Sequence, residues 1–155
     1  MIDEAQLWQR RLASQANNRA WTLAESLSRT REEDEEMLQA AHAAMYFWNI
    51  VGTPKNRAHA AQLVAHVYAL LGSGSLARTF LERSQPVFLG EGAEPWEVAM
   101  AHAVAANVGA ATNDAQAHRE HYGKALSLLD DLPDVERKIL GATLRVVPTP
   151  NDLSD

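Results

Sequence analysis

Histidine is the residue type in this sequence with the widest chemical range, because it can bind a metal, carry a proton or form a hydrogen bond near neutral pH. The chain has six histidines and no cysteine, so a metal ion would have to be held by imidazole and carboxylate groups. His118 and His121 would share one face of a helix, but they supply only two ligands. His59 and His66 would lie roughly 10 Å apart along a helix, too far to bind one ion. The spacing therefore predicts no metal site and no cofactor.

His42 has small neighbours and shares a polar strip of its predicted helix with Tyr46 and Asn49. Alanines on either side of a histidine let another helix approach closely, so a structural hydrogen bond from a buried imidazole is the common explanation. The alternative is a pocket formed by His42, Tyr46 and Asn49, in which a sensor protein would bind a small ligand or a metal.

Motifs for catalysis are missing from the sequence. It has no Gly-x-Ser-x-Gly turn, no phosphate-binding glycine loop and no His-Glu-x-x-His helix. Neighbouring carboxylates occur in the run at residues 32–36 and at Asp130 and Asp131. Both groups fall at predicted helix ends, where capping and solvation account for them. We therefore expect a protein that is not an enzyme.

Composition narrows the remaining classes of function. The 155 residues suffice for one domain that buries roughly 70% of its unfolded surface. The formal charge is −6 and no segment is strongly basic, which argues against nucleic acid as a partner. The longest nearly uncharged run, at residues 39–52, is too short to span a membrane, and the first residues lack the apolar stretch of a secretory signal. We expect a cytoplasmic protein, and the excess of alanine and of arginine over lysine favours a bacterial source.

Alanine, leucine, glutamate and arginine dominate the chain, and turn residues recur about every 20 residues, a pattern that predicts an all-α fold. The predicted helices cover residues 3–28, 30–51, 54–71, 76–85, 95–111, 115–129 and 133–145. Thr30 and Glu33 have the spacing of a capping box, and Pro86 is expected to kink or end the fourth helix. We expect a single domain at residues 1–145, followed by a flexible tail at residues 146–155.

The predicted helices form pairs that repeat with a period of about 41 residues, which places Ala24, Ala65 and Ala106 in register. In the third pair, the run of residues 121–129 has an aromatic residue three positions before an alanine and then leucine, and it resembles the second helix of a tetratricopeptide repeat. In the second pair, small, aromatic, small and large residues occupy the corresponding positions of the same repeat, at Ala65, Tyr68, Ala77 and Leu81. This resemblance extends over residues 21–129, and the segment at residues 40–54 is similar to uncharacterised bacterial helical-repeat proteins. A plain helical bundle with aligned alanines is the alternative.

The resemblance to tetratricopeptide repeats implies a right-handed solenoid of about three antiparallel helix pairs with a C-terminal capping helix. In such arrays the first helix of each pair lines a concave face. The register implied by the resemblance places on that face Asn18, Trp21, Glu25, His59, Gln62, His66, Met100 and Asn107. Aromatic, amide and imidazole groups with few charges suit a peptide backbone.

The implied function is thus non-enzymatic recognition of a protein or peptide segment. A homodimer is a further arrangement that an exposed apolar patch would allow. The alternative for the face itself is a set of solvated polar residues, with the terminal helices filling the groove.

Overall fold

A computed structural model describes residues 3–151, and within that range the chain forms seven α-helices and no β-strand. The prediction of an all-α fold is confirmed. The helices are α1 (Glu4–Ala24), α2 (Arg31–Val51), α3 (Pro54–Leu70), α4 (Gly74–Phe88), α5 (Pro95–Ala111), α6 (Ala115–Leu129) and α7 (Asp134–Val146). None of these seven helices is long and apolar enough to cross a membrane.

The helices begin where polar residues can bind the free N–H groups of the first turn. The Thr30 hydroxyl accepts a hydrogen bond from the backbone N–H of Glu33 at 3.2 Å, and the Glu33 carboxylate accepts one from the backbone N–H of Thr30 at 3.1 Å. The same reciprocal pair of bonds forms at the start of α1 and of α3, where the capping residues are Asp3 and Thr53. The predicted capping box is confirmed, and it satisfies donors that a helix leaves unpaired.

Two helix ends differ from the prediction. α1 ends at Ala24, before the predicted end at Ser28. α4 continues through Pro86 to Phe88, although proline removes one backbone donor from the helix. Phe88 is fully buried, with Ala58 and Ala101 in its cluster. Packing of this side chain therefore holds the last turn of α4 in place.

Consecutive helices pack as antiparallel pairs: α1 with α2, α3 with α4, and α5 with α6. Arg19, late in α1, forms an ion pair of 2.7 Å with Glu36, early in α2. Arg10 donates a hydrogen bond of 2.8 Å to the carbonyl oxygen of Val51, at the other end of the same pair. α3 also contacts α1 and α5, and α7 packs on α5. The first helices of the three pairs are therefore neighbours in space.

The core is centred on the alanine-rich helices α3 and α5. Residues 99–109 of α5 are all buried, as is most of α3. One cluster of buried side chains joins α1, α2 and α3, and a larger cluster joins α3 to α7. At Gly109 an added Cβ would lie 2.7 Å from the backbone nitrogen of His118. The absence of a side chain at Gly109 therefore permits the close approach of α5 and α6.

The predicted flexible tail covers residues 146–155, of which 152–155 lie outside the described residues. In the described part, Val147 is buried in the core cluster around α5, and Pro150 is buried as well. The Nε2–H group of His118 donates a hydrogen bond of 2.6 Å to the carbonyl oxygen of Pro148. Residues 147–151 thus lie against the domain, beside the turn that joins α5 to α6.

Candidate binding groove

The first helices of the pairs border an open groove with a volume of about 620 Å³. Three tryptophans, several amides and one carboxylate line it. The lining residues are Ser14, Asn17, Asn18, Trp21 and Thr22 from α1, Glu25 directly after α1, Trp48 from α2, Asn56, His59 and Gln62 from α3, Trp96 and Met100 from α5, and Ile139 from α7. This set of residues is called the groove below.

The structure brings most of the predicted face together. Asn18, Trp21, Glu25, His59, Gln62 and Met100 all line the groove. His66 and Asn107 do not line it, and their exposed fractions are 0% and 3%. The register of 41 residues thus places six of the eight residues at one surface, and the other two lie deeper in the domain.

His66 supports the groove from behind. Its ring stacks on the indole of Trp21, with 5.5 Å between the ring centroids and 29° between the planes. The Asn107 side chain donates a hydrogen bond of 3.1 Å to Nδ1 of His66. Burial, together with the positive charge of nearby Arg29, lowers the pKa of His66 from 6.5 to about 4. The imidazole is therefore neutral at pH 7, and it fixes the position of Trp21.

Two buried polar atoms in this region have no hydrogen-bond partner among residues 3–151: Oε1 of Gln62 and Nε2 of His66. Gln62 is 2% exposed, and its Oε1 atom is buried in the wall of the groove without a hydrogen-bond partner. Because Asn107 donates to Nδ1, neutral His66 carries its proton on Nε2 and leaves a buried donor unused. Each unsatisfied group costs about 1–3 kcal/mol of stability.

A buried carboxylate holds His59 in the groove wall. Glu97 is 2% exposed, and it accepts hydrogen bonds from Nζ of Lys55 at 2.8 Å and from Nε2 of His59 at 3.0 Å. Burial acts to raise the pKa of Glu97, but the hydrogen bond from Lys55 leads the effects that bring it below its ordinary value. Burial also lowers the pKa of His59, whose ring stacks on Trp96 with centroids 5.6 Å apart. Lys55, Glu97 and His59 form a neutralised cluster at this end of the groove.

Several residues of the site were not predicted from the sequence. Trp48 and Trp96 line the groove, although core packing is the default expectation for tryptophan. Glu97 completes a capping box with Glu94 at the start of α5, and nothing in this local pattern indicates its contacts with Lys55 and His59. The repeat register could have indicated Glu97 as a residue of this site. It follows Asn56 by 41 residues, which is one repeat, so the two residues lie at the same level of α3 and α5.

The three residues of the alternative pocket, His42, Tyr46 and Asn49, have different surroundings. Nε2 of His42 forms a hydrogen bond of 2.8 Å with the hydroxyl of Tyr68, and its ring packs edge-on against Phe80. Tyr46 is 64% exposed, and Asn49 lines a separate depression of about 240 Å³ between α2, α3 and α4. Burial lowers the pKa of His42. The contacts of His42 are those of the structural hydrogen bond that the sequence favours.

The remaining histidines bind one another or the backbone. Nδ1 of His102 lies 2.9 Å from Nδ1 of His121, and the ring centroids are 5.2 Å apart. The nitrogens thus point nearly straight at each other, which suits one shared N–H···N hydrogen bond. His118 is occupied by the backbone at Pro148. Among residues 3–151 no group of three or more histidine, aspartate or glutamate side chains could hold a metal ion.

Comparison of the chain with protein-family models, curated proteins and solved structures finds no match. The fold and the groove geometry are therefore the basis for a functional assignment.

Proposed function

We propose that this chain is a cytoplasmic, non-enzymatic recognition module, a right-handed solenoid of three helix pairs similar to tetratricopeptide repeats, whose groove binds an extended peptide segment. The α7 helix would cap the array at its C-terminal end.

The order of the helix contacts supports the solenoid. Each of the three pairs is antiparallel, and α3 contacts both α1 and α5. Equivalent residues 41 positions apart meet across these helices, as in the hydrogen bond between His66 and Asn107. A two-helix unit that stacks on the next unit in constant register is the arrangement of a helical-repeat array.

The observation that carries the assignment is the combination of three indole rings with several side-chain amides along one open groove. The amides of Asn17, Asn18 and Asn56 can exchange hydrogen bonds with a peptide backbone along this surface. Three indole rings provide apolar area for the side chains of the peptide. An extended segment needs this combination, because its backbone must remain hydrogen-bonded while its side chains lose water.

The test is selection of a displayed library of random octapeptides on the full chain and on two matched variants. Ser14 is an exposed residue that lines the groove, so Ser14→Tyr should obstruct it. Gln15 is its exposed neighbour outside the groove, so Gln15→Tyr adds the same side chain without obstruction. Individual peptides that are enriched are then measured by titration of tryptophan fluorescence.

We expect the wild type and Gln15→Tyr to enrich the same sequences, and Ser14→Tyr to bind them at least tenfold more weakly, which corresponds to about 1.4 kcal/mol. Failure to enrich any sequence, or equal enrichment by Ser14→Tyr, would refute peptide binding at this surface.

A further inference from the structure

The lining of the groove carries negative charge and no positive charge. Among its lining residues, Glu25 is the only one with a formal charge at neutral pH, and none is lysine or arginine. A side pocket of about 130 Å³ adjoins the groove, sharing Trp96 with it, and its wall includes a second carboxylate, Glu136. Lys55 lies near this end of the groove, and its positive charge is already balanced by its ion pair with Glu97.

Glu25 is available to a ligand. Its carboxylate forms no hydrogen bond or ion pair with any residue in the described range of 3–151, whereas Arg29 in the same turn is paired with Asp34 at 2.6 Å. Glu25 follows Trp21 by four positions at the end of α1, and both residues line the groove.

Trp21 is suited to hold a cation beside this carboxylate. One face of its indole is covered by the neutral imidazole of His66, and the side chain remains partly exposed in the groove. Aromatic faces attract ammonium and guanidinium groups, and the protein uses this contact elsewhere, since the Arg83 guanidinium lies 4.6 Å from the centroid of the Phe80 ring. The groove lining thus provides an aromatic surface and a carboxylate, and none of the lining residues is a lysine or arginine.

We propose that the peptide bound in the groove is basic, with a lysine or arginine side chain that contacts the Trp21 indole and pairs with Glu25. This inference rests on the proposed function, and it specifies the partner further. The net charge of −6 would favour the approach of a basic segment.

The experiment uses acetylated, amidated octapeptide mixtures in which one central position is fixed as arginine, lysine, glutamine or glutamate. Binding of each labelled mixture is measured by fluorescence polarisation on the full chain, on Glu25→Gln and on Glu25→Lys. Glu32→Gln is the matched control, because Glu32 is an exposed acidic residue outside the groove. Tetramethylammonium chloride serves as a competitor that tests for a small cation in place of a peptide.

We expect the arginine and lysine mixtures to bind about fivefold more tightly than the glutamine mixture to the wild type and to Glu32→Gln. Glu25→Gln should remove most of this preference, and Glu25→Lys should reverse it in favour of glutamate.

Two outcomes would overturn the inference while leaving peptide binding intact: equal affinity for the basic and neutral mixtures, or a basic preference that survives Glu25→Gln. Displacement of the basic mixtures by tetramethylammonium at micromolar concentration would assign the site to a small cation and would also overturn it. If none of the mixtures binds, the inference and the proposed function fail together.

Discussion

Burial of His66 should make the stability of this protein sensitive to mild acid. The ring is fully buried, and its pKa is lowered from 6.5 to about 4 by burial and by the charge of Arg29. Above about pH 6.5 the imidazole is neutral in the folded and the unfolded chain, so the shift has no effect on stability. As the pH falls towards about 4, the unfolded chain binds a proton at this residue and the folded chain does not. The free energy of unfolding therefore decreases across this range.

The size of the effect follows from the two pKa values. At about pH 5 the imidazole is mostly protonated in the unfolded chain and neutral in the folded chain. This pH lies about 1.5 units below the unfolded pKa. At about 1.4 kcal/mol per unit, the expected loss is about 2 kcal/mol at that pH and roughly 3 kcal/mol below pH 4. Either loss is a large part of the 5–15 kcal/mol that stabilises a typical domain.

The assay compares the wild type with His66→Gln, which removes the titrating group and leaves an acceptor for Asn107. Urea unfolding, followed by circular dichroism, gives the free energy of unfolding at about pH 7, 6 and 5. We expect the wild type to lose about 2 kcal/mol more than the variant between pH 7 and 5. His102 also has a pKa lowered to about 4, but it is present in both proteins and cancels in the comparison. Parallel profiles for the two proteins would show that His66 binds protons equally in both states, contrary to its burial.

Two further predictions concern the core and the groove wall. Gly109→Ala should destabilise the protein by about 2 kcal/mol, because the new Cβ would lie 2.7 Å from a backbone nitrogen of α6. At Gly123 no atom outside the local helix backbone lies within 4 Å of an added Cβ, so Gly123→Ala should stabilise α6 by about 1 kcal/mol. A Gly109→Ala protein that melts like the wild type would contradict the close approach of α5 and α6. Glu97→Gln should lower stability by about 2 kcal/mol, because a neutral amide with one acceptor oxygen replaces the carboxylate that accepts from its lysine and histidine partners. The same change should lower the pKa of His59, measured by NMR titration, since Glu97 raises it; an increase would refute the assigned contact.

Helix positions in this chain could be predicted from local signals. The spacing of apolar residues and the caps at Thr30 and Thr53 place the starts of α2 and α3 correctly, because these signals act within one helical turn. The end of α4 could not be predicted in this way. Pro86 indicates a break locally, but the burial of Phe88 depends on contacts with α3 and α5 that are distant in the sequence.

The candidate site could be predicted in part for a similar reason. A repeat register states which side of a helix a residue occupies, and Asn18, Trp21 and His59 accordingly line the groove. The register contains no information about depth, so the burial of His66 behind Trp21 could not be inferred. Depth depends on the size of the side chains that cover a position, and these come from other helices.

The order in which the helices pack also bears on how the chain folds. Every pair of helices in substantial contact consists of consecutive helices, such as α1 and α2, or of helices separated by one other helix, such as α5 and α7. Folding is fast when contacts close short loops, because little chain entropy is lost before they form. The buried members of the cluster shared by α1, α2 and α3 all come from these three helices, and Phe80 of α4 packs against them, so no helix after α4 contributes to it. We therefore expect a nascent chain to assemble this part of its core on the ribosome, before α5 has been synthesised.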